Sequence, residues 1–468
     1  MKKGLMLGAV AVVVAGALIA PKFIGQNVHQ QVQEQVAKLN EQAGYQASIK
    51  QWQQGWFSTQ AQIDVHFDMA ELDPTSAQEL PEFPPLNIQL DIQHGPVLLS
   101  SQGLLGLASW QADISGEALR KNLTWTDDLP LYRLSGLTGL FGGHRFTDQI
   151  PAFSAAPQPG TTFTFSGYQG SGEIGQSHIQ YAGHAASLSG NKGDERRLTV
   201  KDLRIQMDAD VDMATMMEGG FYDSQAHVGV GEMQLTIPGT ASKQAELKGL
   251  AINMTTKRNA EKGTGEMLVA YLADAVDVGE YQASELALEV QLQNLNEDVL
   301  IEYQQMAKSG SFADPEAMLD YVEEILPILL QDNPALNLSK ISVTLPKGKI
   351  NGYINSQVVN VEDMDGSEWT YKEFWLAHVA VDAKIDADRE ALLFIAEQHM
   401  LKQMQPAIAA GQLDEAQAKQ MAQQQAPQML DMLMQQGLMV ETQEGLQSTF
   451  TLKDGEGLLN GEPVPLPL

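Results

Sequence analysis

The chain has 468 residues, 43% apolar and 19% charged, which suffices for a sizeable core and exceeds what one core usually supports. Its 29 basic and 59 acidic residues leave a net charge of −30, which excludes a general nucleic-acid binder because phosphate neutralisation needs a basic surface. The absence of cysteine excludes disulfides, thiolate catalysis, iron–sulfur clusters, Cys-ligated zinc and a lipidated N-terminus.

Met1-Lys2-Lys3 precedes an apolar run from Gly4 to Ala20. As a helix that run rises about 25 Å, and Phe23 and Ile24 extend it toward the ~30 Å of a hydrocarbon core. The lysines favour a cytoplasmic N-terminus, so the rest of the chain is expected in the periplasm, anchored to the bacterial inner membrane by residues 1–23. A signal peptide cleaved after Ala15-Gly16-Ala17 is the alternative. Ile24, Val28, Val32, Val36 and Leu39 then form a narrow helical stripe over a stalk of residues 24–44. The stripe either packs on the folded body or pairs with a second copy as a short coiled coil, which would make a homodimer.

From Phe57 to Met69 apolar and polar residues alternate, with Phe57, Thr59, Ala61, Ile63, Val65, Phe67 and Met69 on one face. Strict alternation over thirteen residues predicts one long strand with one buried side. Tyr45, Ala47 and Ile49 precede it across Gln53-Gln54-Gly55, predicting a hairpin. The pattern returns at Leu86–Ile92, Leu203–Met213, Leu286–Leu292 and Val379–Ile385. One-sided alternation indicates antiparallel sheet with a solvated face. Asn296-Glu297-Asp298 and Asp386-Ala387-Asp388 read as N-caps, and helices are expected over 315–332, 388–405 and 413–436, the last interrupted at Pro427. Asn460-Gly461 predicts a hairpin turn.

These elements resemble the YdgA-like family of bacterial envelope proteins, domain of unknown function 945. The likeness rests on the N-terminal anchor and stalk, on Gln54-Gly55-Trp56-Phe57-Ser58-Thr59, on Ile92-Gln93-His94-Gly95-Pro96 and on Leu459-Asn460-Gly461-Glu462-Pro463. The resemblance implies a periplasmic protein anchored in the inner membrane and carries over no catalytic residue, since the family has no established activity.

Motifs for chemistry are sparse. Gly170-Ser171-Gly172-Glu173-Ile174-Gly175 matches a dinucleotide fingerprint but leads into Gln176–Tyr181, which reads as strand, so a Gly-rich β-turn or bulge is expected there. Asp208, Asp210 and Asp212 imitate the start of an EF-hand, yet Met213 and Gly219 stand where that loop needs Gly and Glu. No two of the nine histidines are spaced i, i+4. His94 is expected to close its strand through a structural hydrogen bond. Trp52, Trp56 and Phe57 suit a sheet edge or a ligand mouth, and the methionines from Met400 to Met439 suit core filling or an adaptable apolar surface.

The expected fold is α+β: long antiparallel strands in one or two curved sheets, helices at the edges and an N-terminal transmembrane helix. The expected division is anchor 1–23, stalk 24–44, β-rich region 45–295 and mixed region 296–468. The expected function is non-catalytic, the binding or positioning of another envelope component, with no cofactor and no metal. The alternative is lipid binding or transfer in an apolar β-groove, similar to AsmA-like proteins, lined by Phe57, Ile63, Val65, Phe67, Ile205, Met207 and Val211. The partners expected are the inner membrane and a lipid or an envelope protein.

Overall fold

The computed structural model describes residues 28–41, 44–68, 85–193, 196–237, 243–279, 281–309, 315–361 and 368–466. The expected anchor and Met69 lie outside them, and among the described residues no helix is long and apolar enough to cross a membrane. The chain gathers into two compact units. One comprises residues up to Ser242 together with Leu300–Leu319, and the other Lys243–Val299 with Asp320–Leu468. The expected boundary at 295/296, drawn where helices lengthen, falls inside the second unit. Hairpin pairing sets the border instead, because Lys243–Asn259 pairs with the strand that follows it.

In the first unit, helix α1 (Val28–Asn40) leads into β1 (Tyr45–Gln54), β2 (Ser58–Phe67), β3 (Leu86–His94), β4 (Ala108–Ile114), β5 (Tyr132–Thr138), β6 (His144–Ile150), β7 (Tyr168–Ile174), β8 (Ile179–Lys192), β9 (Arg196–Ala209) and β10 (Ser224–Ile237). Each of these strands pairs antiparallel with the next. The alternation from Thr59 to Val65 is realised as a buried face, stacked in register on Leu86, Ile88, Leu90 and Ile92 of β3. Val32, Val36 and Leu39 of α1 pack into the same core. The stalk is therefore the cover of this part of the sheet.

Phe57 departs from the expected strand. Gly55 N–H donates to Ser58 O at 2.7 Å, and that turn carries Phe57 out of the β2 alternation and into solvent. The strand expected through Val211 and Met213 also stops early, at Ala209. There Asp212 caps a short helix α2 (Met213–Glu218), its carboxylate accepting from Ala214 N and Thr215 N at 2.9 and 3.0 Å. His94 bonds the buried Thr59 hydroxyl through Nε2 at 3.1 Å, closing β3 against β2.

The parity of β9 changes midway. Its apolar residues fall at Leu198 and Val200, then at Leu203, Ile205 and Met207. Asp202 stands at the change with φ 57°, outside the regular pairing with β8 and β10. Across from it, Gly231 leaves room for the Asp202 carboxylate that a Cβ would occupy. A single left-handed residue rotates the alternation by one step, so apolar side chains before and after it share one face.

The second unit is built from β11 (Lys243–Asn259), β12 (Thr264–Val278), β13 (Tyr281–Asn296), β14 (Ala335–Leu345), β15 (Gly348–Val358), β16 (Val379–Ala387), β17 (Gly445–Lys453) and β18 (Glu456–Leu459), again paired antiparallel in that order. The parity device recurs with Gly249 (φ 59°) opposite Asp274 and with Glu285 (φ 51°) in β13. Helix α3 (Glu297–Ser309), which belongs to the first unit from Leu300 onward, starts at Asn296, whose side chain accepts from Val299 N at 3.2 Å. Helices α4 (Pro315–Gln331) and α5 (Lys372–His378) bring Leu330 and Phe374 together with Val361 in a small core. Helices α6 (Arg389–Ala409) and α7 (Glu415–Gln435) follow, and the last two run through Pro406 and Pro427 without interruption. Asp388 occupies the N-cap of α6, but its carboxylate binds Lys349 N at 2.7 Å instead of a helix amide. Asn460 and Gly461 form the final hairpin turn, both with positive φ.

The α1 cover makes a register test direct. Val65 is completely buried, whereas Asp64 is on the other face, accepting from Asn87 Nδ2 at 2.8 Å. Val65→Asp is expected to cost about 3–5 kcal/mol and Asp64→Asn less than about 1 kcal/mol in thermal or urea unfolding. Equal losses would place the register one residue out.

Candidate functional site: a half-exposed apolar sheet face

In the second unit the ladder register turns strand alternation into rows. One row runs Met254, Val269, Val290, Leu338, Ile354, Ala383, Phe450, Leu459, one residue from each of eight paired strands and every one apolar. The neighbouring row runs Ile252, Tyr271, Leu288, Ile341, Gly352, Ile385. On the opposite face the corresponding row is Leu268, Gln291, Asn337, Asn355, Asp382, Thr451, Leu458, polar over its five middle strands. The sheet is thus two-faced, as expected for an antiparallel sheet with one solvated side.

The apolar side is nonetheless open. Ile252, Tyr271, Leu288, Leu336, Ile354 and Ile385 are each 37–52% exposed. Full burial of such a side chain is worth about 1.5–3 kcal/mol, so each retains roughly 1 kcal/mol that a ligand or partner would release. Extended exposed apolar surface of this kind is uncommon on proteins that bind nothing.

The seven residues singled out from the sequence do not converge. Ile63 and Val65 are sealed under α1, and Phe67 packs edge-on against Tyr45 at 5.5 Å. Val211 is buried and Met207 half-buried in a second small core with Ile179 and Met216 of α2. Six strands separate β2 from β9, and Phe57 lies in its turn. Ile205 alone among them belongs to an open stretch of sheet, opposite the half-exposed Val228. The open face of the second unit was legible as alternation at Leu286–Leu292 and Val379–Ile385, but its lack of cover was not.

Two polar clusters bring titratable side chains together. Asp148, 3% exposed, accepts from the Tyr181 hydroxyl at 3.0 and 3.2 Å and from Tyr132 at 3.4 Å, while Tyr168 and Tyr181 bond through their hydroxyls. Burial holds the Asp148 carboxyl above its ordinary value of 3.8, against the opposing pull of the tyrosine bonds. Burial likewise pushes Tyr168 up to about 12 and Tyr132 and Tyr181 well above the phenol range. Phenols held protonated so firmly do not serve as bases near neutral pH; the cluster ties β5, β6, β7 and β8 together. It also explains the glycine motif. Gly170 and Gly172 of β7 leave the space filled by Asp148, Tyr181 and Phe146, and β7 runs into a strand, which leaves no helix N-terminus for a pyrophosphate.

In the second cluster His178 reaches Asp210 through Nδ1 at 3.0 Å and Asp208 through Nε2 at 3.6 Å, so one imidazole bridges two carboxylates. All three side chains are largely solvated. Asp212, which the EF-hand pattern would add, is committed to capping α2.

The buried carboxyl makes a signed pH prediction. With its folded pKa raised, the stability that Asp148 contributes is complete below 3.8 and is lost as pH rises through the folded value. Asp148→Asn, which keeps an acceptor for Tyr181, is expected to raise the melting temperature relative to the parent at neutral pH. The difference should shrink as both are acidified toward the ordinary carboxyl value. A gap constant with pH would mean that Asp148 titrates like a solvated carboxyl.

The family model described as "Bacterial protein of unknown function (DUF945)" matches residues 1–467. No curated protein and no solved structure matches the chain.

Proposed function

We propose that this chain, which belongs to the bacterial DUF945 family, is a non-catalytic envelope protein that holds the acyl chains of a lipid against the apolar face of its second unit. One observation carries the reading: the row from Met254 to Leu459, apolar on eight strands and flanked by side chains left 37–52% exposed. At roughly 4.8 Å per strand such a row is about 34 Å wide, more than the ~15 Å that an acyl chain spans in one bilayer leaflet. Acyl chains also suit the surface chemically, since they need contact area and no directional bond. The reverse face, polar over its middle strands, is then the side that stays in water. In this reading the body lies in the periplasm, held to the inner membrane by residues 1–23, on the strength of Lys2, Lys3 and the apolar run to Ala20.

The full chain is to be extracted in mild detergent and its bound lipids weighed by mass spectrometry. Phospholipid is expected with the parent. With Ile252→Asn combined with Leu288→Asn it should fall severalfold, with a melting temperature lowered by only a few degrees, because both side chains already face solvent. Variants that fold and keep their lipid would overturn the reading. So would a lipid-free parent whose Leu336 position photo-crosslinks to another protein, which would make the face a protein-binding surface.

A further inference from the structure

Three connections meet at one end of the first unit. Residues 55–57 join β1 to β2, residues 95–107 join β3 to β4, and residues 139–143 join β5 to β6. Backbone bonds make them neighbours: His94 N to Phe57 O at 2.8 Å, Gly95 N to Leu107 O at 2.7 Å and Leu107 N to Thr138 O at 2.8 Å. Their large apolar side chains face outward. Trp56 and Phe141 are 94% exposed, Phe57 78%, Val97 and Leu104 70%, and Leu105 63%. The middle connection is nevertheless well fixed, with Leu98 buried, Ser100 Oγ bonded to Ser109 at 2.6 Å and Gln102 Nε2 bonded to Ser135 at 3.2 Å. These loops have folded with six large apolar residues turned out and Leu98 turned in.

Composition points the same way independently. Residues 53–58, 95–107 and 139–143 contain no Asp, Glu, Lys or Arg, although 19% of the chain is charged. A body carrying −30 is repelled by anionic lipid over much of its surface, whereas these three connections add no charge of their own; the acidic 210–223 connection, with Asp210, Asp212, Glu218 and Asp223, lies further along the same sheet end. Trp and Phe on an uncharged rim are the side chains that settle at the headgroup level of a bilayer.

The direction of α1 identifies what covers this end. Asn40 bonds Ala47 through both side-chain atoms, at 2.6 and 3.0 Å, while at the other end of the helix His29 stacks on Trp52 with ring centres 4.4 Å apart. The helix therefore runs antiparallel to β1, and the described chain enters at Val28 beside the turn that bears Trp56 and Phe57. Ala20, the last residue of the apolar run, precedes Val28 by only eight positions, a reach of at most about 28 Å.

We infer that this rim, carried by Trp56, Phe57, Val97, Leu104, Leu105 and Phe141, inserts into the interface of the lipid bilayer and holds the first unit end-on to the membrane. The inference concerns a different surface from the acyl-binding face of the second unit and stands or falls separately.

The lack of cysteine allows one label per molecule. The full chain bearing Phe141→Cys is to be coupled to an environment-sensitive nitrobenzoxadiazole dye and reconstituted in phosphatidylcholine vesicles. Its emission should shift to the blue and be quenched severalfold more by brominated phosphatidylcholine than the same dye at Asp128→Cys. Asp128 is exposed in the turn at the opposite end of the strands. The quenching should persist in ~0.5 M salt, where surface electrostatics are screened. In a Trp56→Ser, Phe57→Ser background the dye at Leu104→Cys should lose most of its quenching while the protein stays folded and vesicle-bound. A dye at position 141 as hydrated as the one at 128 would overturn the inference. A dye shielded from water yet untouched by bromolipid would overturn it too, and would assign the rim to a second copy or another protein. Lipid co-purification with the second unit's face should be unchanged in all these variants.

Discussion

Every feature of this protein depends on the period of two in an extended strand being carried in register from one antiparallel neighbour to the next. Alternation within one strand only sorts side chains to two sides. It is the ladder, with Met254 opposite Val269, Val269 opposite Val290 and so on to Leu459, that converts sorted strands into a continuous apolar surface. A slip of one residue would mix the two faces, so the register is under strong selection by burial wherever that face is covered. The left-handed residues Asp202, Gly249 and Glu285 serve the same constraint, standing where the parity of apolar residues changes along long strands.

The same kind of face meets different fates in the two units. Over β2 and β3 it is closed by α1, which contributes Val32, Val36 and Leu39 to a core shared with Ile63 and Ile88. In the second unit the apolar rows are left half-exposed along much of their length. A core that is closed supplies stability; a face that stays open holds free energy of burial in reserve for whatever covers it. This contrast is why residues of one chemical pattern, Val65 and Leu288, carry structural weight in one place and a proposed binding role in the other.

The acidic balance is consistent with that division. Carboxylates populate the polar strand faces, as at Asp64 and Asp382, or cap helices, as at Asp212 and Asp414. Asp148 is the exception, buried among tyrosines on a face that glycines keep thin enough to admit them. The loops carrying Trp56, Val97 and Phe141 form the opposite extreme, a region emptied of charge at the end where the helix following the apolar N-terminal run begins.

Much of the fold was legible in the amino-acid order, because alternation, turn glycines and capping carboxylates act over a few residues. The β2 and β3 strands, the hairpin at Asn460-Gly461 and the helices near 315–331 and 389–409 all follow from such local signals. So does the separation of an apolar from a polar side in each strand. Whether an apolar side is covered is decided by residues distant in sequence, and no local pattern carries it. Ile63 and Leu288 alternate alike, yet Ile63 is sealed in a core with α1 while Leu288 stays 37% exposed. Phe57 fits the parity of β2 and still points into solvent, because a turn bond from Gly55 to Ser58 outweighs the preference of one side chain. The rim at that end brings together residues as far apart as Trp56 and Phe141, and only strand order and register made them neighbours.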